Sequence, residues 1–273
     1  MVKIADVDAL GSFSLSVEEK VLLSNSILST QLTDGGDLEV WGKITTRGEV
    51  DYIIVSTPLN DGEGTVGKNF YYCTTDKIDL KPLPPASDAV RVDTSALTGD
   101  ASRVLEIEAP EPEGKEGKDD EEDEAKEDAE PTVFTEADRL ACIVDAVDAS
   151  TCIVPRGAYK ITPTREIVRN GGFSGLGEES AALPSSYLLL REPGDLASKL
   201  DRDGMLKDTD FMDSIGAAHT RGSWSIQTRA DRTVHLKSLQ WPGYFFFHRL
   251  GTSQYGGIYV GDGSVNKDLA FML

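Results

Sequence analysis

The sequence predicts an α+β protein built mainly on antiparallel sheet, with a few helices and one disordered acidic loop. Three observations carry this reading. Short alternating or apolar runs bounded by turn residues outnumber segments with a helical period. Pro242-Gly243 lies between two such runs, with Pro at i+1 and Gly at i+2 of a type II turn, which joins antiparallel strands. One 25-residue segment, 106–130, holds 14 acids and 3 lysines and no aromatic residue.

The elements follow in order. Ser16 and Glu19 form a capping-box pair, and Val17, Val21, Leu22, Ile27 and Leu28 recur at near-helical spacing, so a first helix is expected. Strands are expected at 38–44, where residues alternate around Trp41-Gly42-Lys43, at the apolar run 51–55, and at 68–74. Lys-Pro-Leu-Pro-Pro at 81–85 should end regular structure. Beyond the acidic run, Thr135 and Asp138 resemble a second helix start leading into Arg139 and Leu140. The remainder reads as strands at 151–154, 224–229, 233–239, 244–248 and 257–260. Val234 and Leu236 alternate, Ser238 breaks the pattern, and Leu239 and Trp241 resume out of phase, which predicts a bulge.

The formal charge of the 273 residues is −20, but −11 of it belongs to 106–130 and only −9 to the other 248 residues. Clusters of Lys and Arg are missing, which argues against nucleic acid or an anionic membrane as the main partner. No apolar run approaches the ~20 residues that span a bilayer. Met1-Val2-Lys3-Ile4-Ala5-Asp6 lacks the profile of a signal peptide. Cys73, Cys142 and Cys152 form no CxxC and leave an odd thiol, which predicts a reducing, intracellular setting. The chain divides into an N-terminal α+β portion (1–105), an acidic disordered linker (106–130) and a hairpin-rich C-terminal α+β portion (131–273), and the two portions can share one core. The linker reads as a surface-loop insertion; the competing reading is a solvating tether or a cation-binding tail.

Candidate chemical motifs are incomplete. Gly62-Glu63-Gly64-Thr65-Val66-Gly67-Lys68 matches the first part of a phosphate-binding loop, but Asn69 stands where Ser or Thr is needed and a strand follows where a helix is needed. Asn170 to Gly177 fails as a nucleophile elbow and reads as a mobile glycine loop. His219, His235 and His248 are far apart, and His235 falls on the polar face of its strand, so no metal site is expected. Cys142 and Cys152 sit in apolar contexts and read as small core residues. No catalytic, cofactor or metal residue is assigned.

The C-terminal third is rich in aromatics. Trp241, Tyr244, Phe245, Phe246, Phe247, Tyr255 and Tyr259 fall within nineteen residues. Four consecutive aromatics on a strand point to both faces of the sheet, so both must be covered. Either the strand is fully buried, or one face meets a partner; the seven residues are the candidate protein interface.

Several segments, in order, resemble the radial spoke head protein 9 family of motile cilia. They include Trp41-Gly42-Lys43-Ile44, Tyr71-Tyr72-Cys73-Thr74, Ile153-Val154-Pro155-Arg156-Gly157-Ala158, Ser185-Ser186-Tyr187 and Asp210-Phe211-Met212. Gly222-Ser223-Trp224-Ser225-Ile226-Gln227, Leu239-Gln240-Trp241-Pro242-Gly243 and Tyr259-Val260-Gly261 are the densest matches. The resemblance implies a non-enzymatic structural subunit without cofactors, in the axonemal radial spoke head of a cilium or flagellum. It also implies other spoke-head subunits as partners, the central-pair apparatus across the head surface, more than one copy per spoke, and a part in signalling between the central pair and dynein. The alternatives from the residues themselves are a nucleotide-binding protein using 62–68 and an acidic cation-binding module using 106–130.

Overall fold

A computed structural model describes residues 15–34, 38–58, 67–86, 97–105, 134–162, 167–190, 212–217 and 222–272. The acidic run, residues 62–66 of the glycine loop, and His219 lie outside the described residues.

The main element is an eight-stranded sheet made of two antiparallel meanders. The first contains β1 (Glu39–Ile44), β2 (Tyr52–Pro58), β3 (Lys68–Thr74) and β4 (Lys81–Pro82). Four strands late in the chain form the second. Val104–Leu105 (β5) pairs with Phe134–Thr135 (β6), Ile153–Pro155 (β7) with Tyr187–Leu189 (β10), and Tyr159–Ile161 (β8) with Ile167–Arg169 (β9), all antiparallel. The second meander is β11 (Trp224–Thr228), β12 (Thr233–Ser238), β13 (Tyr244–Arg249) and β14 (Tyr255–Gly261). The sheet order is β11-β12-β13-β14-β1-β2-β3-β4. The meanders meet where β14 runs parallel to β1, with Gly42 opposite Tyr259. Strands from both sides of the acidic run therefore lie in one sheet.

A helix covers each face. Helix α1 (Val17–Asp34) begins with the capping box expected of Ser16 and Glu19. The Ser16 N–H donates to Glu19 Oε2 at 2.7 Å and the Glu19 N–H to Ser16 Oγ at 3.1 Å. Helix α2 (Glu136–Thr151) starts likewise, with the Thr135 N–H donating to Asp138 Oδ2 at 2.7 Å. Short helices α3 (Glu178–Ala181) and α4 (Leu269–Met272) complete the set among the described residues. Leu140, Ile143, Val144 and Val147 of α2 pack on Tyr52, Ile54, Leu236, Phe246 and Tyr259. Leu23 and Ile27 of α1 pack on Val40, Ile53, Val55, Phe247 and Ile258 across the other face. Each of these fully buried apolar side chains contributes about 1.5–3 kcal/mol.

The structure corrects several sequence expectations. Of the apolar residues whose spacing predicts α1, only Ile27 is buried; Val17, Val21, Leu22 and Leu28 are exposed, and Leu23 takes the inner position beside Ile27. The expected slip near Ser238 is the end of β12, and 239–243 form the connection to β13. There the Tyr244 N–H donates to Trp241 O at 3.1 Å and Gly243 has φ +102°, the type II turn that Pro242-Gly243 predicts. The bulge lies instead in β1, between Val40 and Gly42. It reverses the alternation, so that Trp41 and Ile44 both face α2 while Lys43 faces α1. Lys43 Nζ thereby reaches Glu19 Oε1 at 2.9 Å and Asp51 Oδ2 at 3.1 Å. Burial alone would raise Glu19, but Lys43 and the Ser16 amide outweigh it and hold the carboxyl below its usual value. Residues 81–85 do not end the sheet at once: Lys81 and Pro82 make a two-residue edge strand, where a missing N–H is tolerated. Thr151 closes α2 rather than opening a strand.

Candidate functional site

Strand β13 positions the aromatic run. Tyr244, Phe246 and His248 point toward α2, while Phe245 and Phe247 point toward α1, as strand alternation requires. Trp241, Tyr244, Phe246, Phe247 and Tyr259 are buried within the chain, whereas Phe245 and Tyr255 are half-buried. Ring contacts link them: Trp224 to Tyr244 at 5.9 Å, Tyr187 to Phe246 at 5.9 Å, Phe246 to Tyr255 at 6.2 Å and Trp41 to Tyr259 at 5.5 Å. Burial pushes Tyr259 up to about 12, partly offset by the Gly263 N–H, which donates to its hydroxyl at 2.9 Å. Burial raises Tyr244 and Tyr255 as well. These phenols stay neutral and serve as packing groups. Phe245 and Tyr255 are the members of the cluster that retain surface to offer a partner.

Two histidines belong to the same sheet. His235 is buried, contrary to its expected exposure, because the Phe245 ring covers it edge-on at 4.8 Å. His248 is 0% exposed, between Phe173 and Tyr187, and neither ring nitrogen has a hydrogen-bond partner. Burial lowers both imidazoles; the Thr252 backbone offsets this only in part for His248, without a bond of good geometry. An unfolded histidine takes up its proton near pH ~6.5, the folded ones only at lower pH. Their contribution is intact above about 6.5 and drains as pH falls through the folded values. The urea midpoint should therefore be lower at about pH 5.5 than at about pH 7.5, with a shallower slope in His248→Phe. An unchanged slope in that variant would count against His248.

Lys68, the last residue of the phosphate-loop pattern, opens β3 and turns inward. Its Nζ donates to Asp148 Oδ2 at 2.6 Å and to Cys152 Sγ at 3.0 Å, while Trp41 Nε1 donates to Asp148 Oδ1 at 3.0 Å. Burial alone would lower the ammonium, but Cys152 and Asp148 outweigh it and hold Lys68 well above its usual value. The cation that would meet a phosphate is thus committed to α2, and a strand follows it in place of the required helix. Cys152 is correspondingly a half-buried acceptor beside a cation rather than a core residue; Cys142 is buried as expected. At 170–177, the Leu176 carbonyl accepts from the Gly251 N–H at 3.1 Å, which seats the segment expected to be mobile against the turn after β13.

Among the described residues, no group of three His, Cys, Asp or Glu side chains could hold a metal ion, and no helix is long and apolar enough to cross a membrane. The surface that sequence reasoning missed is the outer side of α1. A signal for it was present: no charged residue occurs from Val21 to Thr33.

Comparison with known proteins adds the assignment. No protein-family model matches the chain. A radial spoke head protein 9 homolog of Danio rerio is 35% identical over 277 residues, covering 98% of this chain and 96% of the relative. Homologs of the same name from Mus musculus and Homo sapiens are 36% and 35% identical over 237 residues, each covering 85% of this chain and 83% of the relative. With 35% identity over 98% of this chain and 96% of the Danio rerio relative, the chain belongs to the radial spoke head protein 9 family.

Proposed function

We propose that this chain is a non-enzymatic structural subunit of the radial spoke head in the axoneme of a cilium or flagellum. It associates with other spoke-head subunits, faces the central-pair apparatus, is present in more than one copy per spoke, and helps relay signals between the central pair and the dynein arms. The observation that carries this is the match to a radial spoke head protein 9 homolog over 98% of the chain. The side-chain chemistry supports it: the aromatic tyrosines stay neutral, and Lys68 is spent on Asp148 inside the protein. The interface reading of the aromatic cluster continues through Phe245 and Tyr255. The cation-binding reading concerns the acidic run, outside the described residues.

The test is fractionation of ciliated cells expressing the tagged chain. It should remain with axonemes through about 0.5 M salt, where charges are screened beyond roughly 4 Å. Release as a soluble monomer would sink the structural reading. A nucleotide titration to about 1 mM should show no saturable binding; saturable binding lost in Lys68→Ala would instead restore the nucleotide-binding reading.

A further inference from the structure

We infer that the outer face of α1 is a docking seam for the uncharged face of an amphipathic helix of another spoke-head subunit. The inner face is committed: Leu23 and Ile27 enter the core, and Glu19 is tied to Lys43 of β1. On the outside, Val17, Val21, Ser24 and Leu28 fall at i, i+4, i+7 and i+11, which forms one straight stripe along the helix. Val17, Val21 and Leu28 are 76%, 56% and 59% exposed; Leu22, 52% exposed, lies about 100° further round the helix and outside the stripe. Ser24 sits in the stripe without needing water, because its Oγ donates to the Val21 carbonyl at 2.8 Å.

Three features identify the occupant. A stripe of this spacing accepts a second helix, whose own a/d-type residues fit between its side chains. The 13 residues from Val21 to Thr33 carry no charge in a protein that is 27% charged, so a charge opposite Val21 and Leu28 would be desolvated without a counter-ion, while Glu18 and Lys20 border only the Val17 end. The matching face is therefore apolar and small. The three exposed apolar residues of the stripe offer about 300 Å², well under the roughly 800 Å² per partner in a stable two-body interface. That area is too small for a self-standing dimer of this chain and suits one contact among several in an assembly, so the inference rests on the spoke-head reading.

The experiment replaces the endogenous chain in ciliated cells with the double variant Val21→Glu/Leu28→Glu, beside Val21→Ser/Leu28→Ser. Both positions are more than half exposed, so the purified variants should unfold at the wild-type midpoint. Wild type should sediment with axonemes, while the glutamate variant should lose at least about tenfold in incorporation and the serine variant less. A benzophenone cross-linker at position 28 should then attach to a helix of another subunit with an uncharged face. Wild-type incorporation of both folded variants overturns the seam. Cross-linking to a second copy, or to residues 1–14 of the same chain, overturns the occupant. Failure of wild type itself to sediment with axonemes overturns the spoke-head reading, and the seam with it.

Discussion

Gly42→Ala is expected to cost about 3 kcal/mol or more, which is a large share of a typical 5–15 kcal/mol stability. Gly42 lies at the bulge of β1, directly opposite Tyr259 where the two meanders meet. A Cβ there would sit 2.1 Å from the Tyr259 carbonyl oxygen and 2.9 Å from its carbonyl carbon and amide nitrogen. All three are main-chain atoms, which cannot rotate away as a side-chain tip can. The methyl group must push β1 and β14 apart, and that pairing is the single seam joining β1–β4 to β11–β14 in the sheet order. Trp41 and Tyr259, whose rings touch at 5.5 Å, would separate with it. Gly171→Ala is the control, because a Cβ there meets nothing within 4 Å. Urea unfolding should show a much lower midpoint for Gly42→Ala and almost no shift for Gly171→Ala. A loss below about 1 kcal/mol at Gly42 would mean the seam tolerates separation.

Asp148→Ala should cost about 3–5 kcal/mol, the range for removing one partner of a buried ion pair. The Lys68 side chain is 11% exposed and Asp148 18%. Without the carboxylate, the ammonium keeps only the Cys152 sulfur, and Trp41 Nε1 loses its acceptor. Most of the cost is the stranded charge rather than the net worth of the pair. The double variant Lys68→Met/Asp148→Leu should therefore recover most of the loss, to within about 1 kcal/mol of wild type, since apolar side chains of similar size avoid the desolvation. Additive losses in the double variant would show that Asp148 acts through Trp41 and packing alone.

Features set by neighbours in sequence were legible. Ser16 with Glu19, and Thr135 with Asp138, close capping boxes across three residues. Pro242-Gly243 makes its turn within four, and β3 runs over the expected 68–74. Family membership was legible too, because the matched segments keep their order along the chain. Which side of α1 is buried was not legible, because a helix with apolar residues on two sides does not say which side meets the sheet. Leu23 and Ile27 hold that position because β1, β2, β13 and β14 lie beneath them. His235 looked exposed on its own strand because the ring covering it, Phe245, belongs to the next strand.

The sequence by itself determined the helix starts, most strands, the α+β class, the lack of a complete catalytic motif, and the family, since each depends on local residue chemistry or on segment order. Only the tertiary structure decided how these parts are used. It joined β1 to β14, turned Lys68 onto Cys152, 84 residues away, and buried five of the seven candidate interface aromatics. It also left Val17, Val21, Leu22 and Leu28 of α1 exposed. The physical reason is that a side chain's burial and charge state depend on what the folded chain brings against it, and those contacts come from residues far away in sequence.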